Sequence, residues 1–287
     1  MTLPEFIERH PRLAVLTGAG VSTGSGIPDY RDERGEWKRA RPVEFRPFMT
    51  RPEVRQRYWA RSAVGWPIIG GAQPNAAHRA LARLEAQGQV VLLITQNVDG
   101  LHQAAGSRNV IDLHGRLDLV RCMQCDHTLS RAQMQQRLLA DNPAWAALEA
   151  RVAPDGDVEL ELDFSAFAVP DCERCGGILK PDVVFFGETV PRERVTRVFD
   201  ALSRADALLV VGSSLMVYSG FRFAEAAAAA GKPIAAVNLG RTRADHLFML
   251  KISAPCDEAL GALSDQKLLP LRGLRSGPRQ RAHRLRE

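Results

Sequence analysis

Four cysteines set in two Cys-x-x-Cys pairs place the tightest constraint on how this chain can fold. They are Cys122/Cys125 and Cys172/Cys175, with 46 residues between the pairs. Each pair offers two thiolates to one metal from a tight turn, and two such turns complete a tetrahedral Zn²⁺ site with Zn–S bonds of about 2.3 Å. A closed Cys₄ site leaves no position for water, so the single ion it suits is structural and the chemistry lies elsewhere. Gly176-Gly177 directly after the second pair fits a metal-binding turn better than a redox pair. His127 could replace a thiol as ligand, but four cysteines make that unnecessary. The pairs therefore mark a small module that leaves a larger domain and rejoins it.

The chain has 287 residues, enough for one large domain and a smaller one, and 45% of them are hydrophobic, so a substantial core can be buried. No apolar run reaches the roughly 18 residues of a membrane span. Met1-Thr2-Leu3-Pro4-Glu5 lacks the basic-then-apolar pattern of a signal peptide. Five cysteines in a chain of this length fit a reducing compartment. The expectation is a cytoplasmic protein that does not engage membrane. Net charge is +5, yet residues 272–287 hold six arginines and one glutamate, so the first 271 residues sum to zero. Gly273, Gly277 and Pro278 make this stretch a disordered basic tail. A weak contact with nucleic acid or an acidic partner is the alternative use of it, and the neutral body argues against a nucleic-acid-binding module.

Leu13-Ala14-Val15-Leu16-Thr17 is an apolar run feeding Gly18-Ala19-Gly20, which reads as strand then tight turn. Residues 75–87 read as a helix, since Ala76, Ala80, Leu81 and Leu84 recur at helical spacing, Asn75 can cap its start and Gly88 can end it. Apolar runs at 90–95, 110–113, 183–186, 207–211 and 234–237 read as buried strands. Helices are expected at 192–204 and 220–230. Strands alternating with helices imply right-handed βαβ units, hence an α/β fold with a Rossmann-like doubly wound parallel sheet. Two stretches break the rhythm. Residues 33–74 are rich in arginine and tryptophan; residues 117–180 carry the zinc ligands, a helix near 131–139 and an acidic loop at 155–163. As two insertions they would form a smaller zinc-binding domain.

Chemistry-bearing residues cluster at predicted strand ends, where open α/β sheets bind ligands. After the first strand, Gly18-Ala19-Gly20-Val21-Ser22 would let backbone approach a pyrophosphate at the start of a helix. Thr23 stands where the third glycine of the dinucleotide fingerprint belongs, which disfavours a redox dehydrogenase. Gly26-Ile27-Pro28 followed by Asp29-Tyr30-Arg31 puts an acid and a base on a rigid loop just beyond. Gln96-Asn97-Val98-Asp99 follows the second strand; Asn97 and Asp99 can bond ribose hydroxyls or a carboxamide, or simply cap a helix. His114 lies at a third strand end, and an imidazole with a pKa near 6.5 suits proton abstraction. Gly212-Ser213-Ser214 and Asn238-Leu239-Gly240 end two more strands and suit the adenosine half of a dinucleotide. Cys256 stands alone with no base beside it and reads as a small buried residue.

Taken together, residues 18–31 and 96–102, His114-Gly115, the cysteine pairs, 183–188, 212–214 and 238–240 resemble the sirtuins, the NAD-dependent protein deacylases. They run in family order from Leu13 to Cys256. Arg57-Tyr58-Trp59-Ala60-Arg61 with Gly65-Trp66-Pro67 is similar to the class II branch that includes a mitochondrial lipoamidase and ADP-ribosyltransferase, with a bacterial origin implied. The resemblance implies NAD as cofactor across the sheet, its pyrophosphate at 18–22, Ile27 and Asp99 on the nicotinamide carboxamide, and Asn97 on the adjoining ribose. Asn97 and Asp99 thereby join His114, the implied general base on a ribose hydroxyl, in the catalytic set. The implied reaction strips an acyl group from lysine and yields nicotinamide and O-acyl-ADP-ribose. Acyl-lysine proteins or peptides would pair as a strand between Val184-Phe185-Phe186-Gly187-Glu188 and Leu215-Met216-Val217. Cys256 would meet the cofactor through its backbone.

The resemblance also implies domains: 1–32, 76–116 and 181–271 for NAD, 33–75 and 117–180 as the small helical and zinc unit, and 272–287 as the tail. The chain would act as a monomer. Residues 37–57 contain no tyrosine, so the Tyr-x-x-Arg pair of desuccinylating members is not found in that run, and apolar or longer acyl groups are favoured. Mono-ADP-ribosyl transfer to protein is the enzymatic alternative; a zinc-ribbon nucleic-acid-binding protein is a distant one.

Overall fold

The computed structural model describes residues 1–38, 42–125, 127–146 and 162–264. The tail expected at 272–287 and most of the acidic loop expected at 155–163 lie outside the described residues. The strands are β1 (Leu13–Thr17), β2 (Val90–Thr95), β3 (Val110–Asp112), β4 (Gly115–Cys122), β5 (Thr128–Ser130), β6 (Leu179–Val183), β7 (Ala207–Val211), β8 (Ile234–Val237) and β9 (Leu250–Ile252). The helices are α1 (Leu3–Arg9), α2 (Phe45–Thr50), α3 (Pro52–Gly71), α4 (Ala76–Ala86), α5 (Leu101–Ala104), α6 (Arg131–Asp141), α7 (Arg192–Arg204), α8 (Tyr218–Ala229) and α9 (Cys256–Gly261).

Six strands pair in parallel in the order β3-β2-β1-β7-β8-β9. All five residues of β1 and of β7 are buried, because helices cover both faces of the sheet. Strand alternation sorts the side chains. Leu13, Val15, Leu209 and Val211 pack with Phe6 of α1, Leu81 of α4 and Leu260 of α9. Ala14, Leu16, Leu208 and Val210 face Val198 and Leu202 of α7 and Phe223 and Ala227 of α8. Start and stop signals work as read for α4: Asn75 accepts from the backbone N–H of Ala77 and His78, and Gly88 takes a positive φ of 77°.

A second sheet, β5-β4-β6, is antiparallel. It packs with α2, α3 and α6 around Phe48, Tyr58, Trp59, Val120, Met134, Leu138 and Phe167. Trp59 is fully buried and donates its indole N–H to the Leu179 carbonyl at 3.2 Å. Arg131, 1% exposed, lies over the rings of Trp59 and Trp66 and bonds the Ser62 carbonyl at 3.0 Å.

Some expectations shift. The strand expected at 183–186 is instead β6, which ends at Val183 and belongs to the antiparallel sheet. Residues beyond it are held by isolated backbone bonds, Val184 N–H to the His114 carbonyl and Phe45 N–H to the Phe186 carbonyl, and by side chains, rather than by a ladder. The domain limits at 116/117 and 180/181 fall inside β4 and β6, which bond each other as one sheet. Within 33–74 the chain builds α2 and the 20-residue α3, whose periodicity is blurred in sequence by Gly65, Pro67, Gly70 and Gly71. No described helix is long and apolar enough to cross a membrane.

Candidate functional site

Chain order decides where a site can form. From β1 the sheet runs one way to β2 and β3, and from β7 the other way to β8 and β9. The carboxyl ends of β1 and β7 are therefore the topological switch point, where the two loops part and leave a crevice. A cavity of about 300 Å³ opens there, lined by the ends of β1, β2, β7 and β8 and by His114.

The first loop differs in detail from expectation. Two single-turn 3₁₀ helices, Ala19–Val21 and Thr23–Ser25, follow β1 in place of an α-helix. The N–H groups of Gly18 and Gly20 are already used, donating to the carbonyls of Val211 at 3.1 Å and Gly212 at 2.8 Å. The glycines serve the close approach of the two loops. Gly212 has φ +61°, and a Cβ there would lie 2.2 Å from the Val21 nitrogen. At Gly20 an added Cβ would lie 3.0 Å from the Gly212 Cα.

Asn97, Asp99 and Ser22 form one polar cluster. Ser22 Oγ donates to Asp99 Oδ2 at 2.7 Å and accepts from Asn97 Nδ2 at 3.0 Å, while Asp99 Oδ1 accepts from the Leu101 N–H at 2.9 Å. His78 and His102 pack behind them, tilted 57° with centroids 4.8 Å apart, and Thr17 Oγ1 bonds His102 Nε2 at 2.9 Å. Desolvation holds His78 at a pKa of about 4 and His102 well below its usual range.

His114 has a defined tautomer. Its Nδ1 lies 3.0 Å from the Gln96 carbonyl, which only accepts, so Nδ1 carries the proton. Nε2 is then bare and accepts from Ser219 Oγ at 2.7 Å. Burial, reinforced by Arg222 of α8 and Arg194 of α7, lowers the pKa of His114 to about 4. At neutral pH the group is an uncharged imidazole whose single free lone pair is committed. Gln96 extends the network, since its Oε1 accepts from Ser213 Oγ at 2.6 Å.

Asp29 and Arg31 do line the cavity, but both are engaged by their own loop. Lys38 Nζ lies 2.5 Å from Asp29 Oδ1; Arg31 donates to the Gly35 carbonyl at 2.7 Å and stacks over Trp37 at 4.0 Å. The cavity brings together Gly18, Ala19, Gly20 and Ser22, then Ile27, Tyr30, Gln96, Asn97 and Asp99. From the far side it adds Gly212, Ser213, Ser214, Asn238 and Leu239. Pro28, Gly240 and Cys256 do not line it. Cys256 starts α9 instead, with its Sγ 3.6 Å from the Val237 carbonyl and its thiol pushed up to about 12 by burial.

Both stretches expected to hold a peptide, 184–188 and 215–217, line the cavity. The first is locked from below. Lys180, 2% exposed, bonds Glu188 Oε2 at 3.0 Å and lies 4.6 Å from the centre of the Phe185 ring. Glu188 Oε2 also accepts from the Phe185 N–H at 2.9 Å, and the Val184 N–H reaches the His114 carbonyl at 2.7 Å. In the second stretch Leu215 holds φ +55°, a strained conformation for a branched residue. Sequence reading missed Trp37 and Ser219, which also line the cavity. Neither belongs to a recognisable motif; only the packing of the loop and of α8 brings them there.

The four cysteines meet. Their sulfurs all lie within 4.8 Å of one another, with pairs at 3.4, 3.5 and 3.8 Å. Tetrahedral zinc with bonds of about 2.3 Å requires sulfurs about 3.8 Å apart, so the donor set fits one Zn²⁺. His127 is outside the cluster. Gly177 makes room for it, since a Cβ there would lie 2.8 Å from Cys122 Sγ.

Comparison with known proteins agrees with this geometry. The Sir2 family pattern matches residues 18–219. A Bordetella bronchiseptica protein named "NAD-dependent protein deacetylase" is 66% identical over 256 residues, covering 89% of this chain and 93% of that protein. "NAD-dependent protein deacetylase 2" of Bradyrhizobium diazoefficiens is 63% identical, covering 91% of this chain and 96% of that protein. A solved structure described as "Sir2 bound to acetylated peptide" aligns with a TM-score of 0.73 at 31% identity, covering 92% of this chain and 97% of that one. Another, "Sir2-p53 peptide-NAD+", aligns at 0.71 and 30% identity, covering 92% and 97%. The switch-point cavity, the cysteine cluster and a family match reaching from Gly18 to Ser219 converge on one conclusion: the chain belongs to the Sir2 family, the sirtuins.

Proposed function

We propose that the protein is an NAD-dependent protein lysine deacylase. The observation that carries the reading is an imidazole held neutral, with its proton on Nδ1, at the wall of a cavity at the switch point. NAD, when bound, supplies an ADP-ribose acceptor for the acyl group and nicotinamide as the leaving group. The chain's residues then have separable tasks. The loops at Gly18 to Ser22 and Gly212 to Ser214 cradle the nucleotide. Asn97 and Asp99, oriented by Ser22, direct polar atoms at its nicotinamide end. His114 Nε2 receives a proton from a hydroxyl that becomes the nucleophile toward the acyl carbon. Glu188 and Lys180 hold 184–188 in place as one rail for an extended acyl-lysine peptide, and 215–217 is the other. Ile27, Trp37, Val98 and Phe185 among the cavity walls favour an apolar acyl group. The four thiolates would hold a structural Zn²⁺.

The finer assignments form part of the same reading: the class II branch, on the strength of Tyr58, Trp59 and Trp66 in α3; single-chain action; a cytoplasmic site of work; and acyl-lysine proteins as partners. The test is incubation of zinc-replete protein with NAD and a panel of acyl-lysine peptides, read by mass spectrometry. Nicotinamide and O-acyl-ADP-ribose should appear together and only with acylated peptide. Absence of acyl-dependent nicotinamide release across the panel overturns the reading, and label from NAD retained on protein redirects it to ADP-ribosyl transfer.

A further inference from the structure

The lone pair that the proposed chemistry needs is already taken. Neutral imidazole has one free lone pair, on Nε2 here, and Ser219 Oγ fills it at 2.7 Å. The other nitrogen is closed off by the Gln96 carbonyl. A substrate hydroxyl can reach this base only by evicting Ser219 or by acting through it. Eviction would have to come from rotation of the hydroxyl about Cα–Cβ, since the backbone that carries it is fixed. Ser219 sits in the first turn of α8, where its carbonyl accepts from Arg222 Nε at 3.1 Å. The next residue, Gly220, is so close to Gln96 that an added Cβ would lie 2.5 Å from its Nε2. The start of α8 and the backbone that holds His114 are thus packed as one piece, and Ser219 is itself part of the cavity wall.

We propose that Ser219 is a catalytic residue that relays the proton from the substrate hydroxyl to His114. The substrate O–H bond breaks and its proton bonds to Ser219 Oγ. In the same step the original Ser219 proton moves to His114 Nε2. Serine ends neutral, the imidazole ends as imidazolium, and the electron pair left on the substrate oxygen bonds to the acyl carbon as that carbon's π pair moves onto its attached heteroatom, giving a tetrahedral adduct from which the lysine amine later leaves. The charged groups facing the imidazole are Arg194 from α7 and Arg222 from α8, with Asp112 two residues earlier at the end of β3. Neither arginine can accept a proton, which leaves the serine hydroxyl as the partner for transfer. The relay rests on the deacylase reading, and its test separates the two.

Ser219→Ala should lower the rate of acyl-product formation at least tenfold, and Ser219→Thr, which keeps the hydroxyl, should restore most of it. The proton inventory in H₂O/D₂O mixtures should be curved for wild type, with two protons in flight, and linear for Ser219→Ala. Independently of turnover, ¹⁵N NMR of the free protein should show His114 protonated at Nδ1. Its titration midpoint should rise in Ser219→Ala, because a donor to the neutral form is lost. Unchanged or faster product formation by Ser219→Ala means the hydroxyl is merely displaced and ends the relay. Loss in both variants with an unmoved His114 titration assigns Ser219 a structural role and also ends it. A wild-type protein without acyl-dependent nicotinamide release ends both proposals; an active wild type with an indifferent Ser219→Ala ends this one alone.

Discussion

Burial keeps His114 uncharged, and the hydrogen bond from Nδ1 to the Gln96 carbonyl selects its tautomer. With a pKa of about 4, the free enzyme keeps the imidazole neutral through the physiological range. Its acid limb in kcat/KM should therefore lie well below the 6.5 of an ordinary histidine. An anionic nucleotide beside it would stabilise the imidazolium, so the kcat limb, which reports the loaded enzyme, should sit higher than the kcat/KM limb. A kcat/KM midpoint at 6.5 or above would contradict the assigned burial. Replacing the imidazole, His114→Ala, should cost about 10²–10⁴-fold in turnover while leaving circular dichroism and zinc content unchanged. Near-normal turnover would remove His114 from the mechanism.

At the level of elements, two contacts fix the cavity's shape. The β1 and β7 loops touch backbone to backbone, and Gly212→Ala would force a Cβ against the Val21 nitrogen in a left-handed conformation. That change should cost on the order of 1–3 kcal/mol in urea unfolding and weaken NAD binding measured by calorimetry. A variant as stable as wild type would show that the loops have more room than the geometry allows. The second contact is the Lys180–Glu188 pair beneath residues 184–188. Lys180→Met should raise KM for the peptide several-fold while KM for NAD stays near wild type, because the pair braces only one rail of the groove. Equal effects on both constants would indicate general loosening instead.

Across the whole molecule, stability should depend on pH and on metal. His78 and His102 are buried and neutral in the folded state, their pKa values lowered by desolvation, to about 4 for His78. The unfolded chain binds more protons below its own pKa of about 6.5, so stability rises with pH through that window and is lost as pH falls from about 6.5 toward 4. Thermal melts should show Tm falling steadily over that range, and a flat profile would mean that these rings are hydrated. The cysteine cluster ties the turn after β4 to the loop that precedes β6. Cys172→Ser should lower both bound zinc and Tm, since formation of such a site is coupled to folding. Loss of zinc with an unchanged Tm would make the site dispensable for stability.

What could be read without coordinates was local. Uninterrupted apolar runs marked β1, β7 and β8, because a strand covered on both faces shows its burial in its own residues. Asn75 and Gly88 marked the ends of α4 by the backbone groups they satisfy. Paired cysteines announced a metal turn, and polar residues after each strand announced the crevice. The rest depended on docking between distant segments. The end of β6 moved to Val183 because a buried lysine and single backbone bonds to His114 and Phe45, not a ladder, secure the residues that follow. The glycines of the first loop turned out to meet another loop. Ser219 reaches His114 across 105 positions of sequence, and only the seating of α8 on the sheet brings them within 2.7 Å. Local pattern determines which segments become strands and where chemistry gathers; which proton donor faces which acceptor is decided by tertiary packing, since a hydrogen bond depends on ångström-scale position that no residue specifies alone.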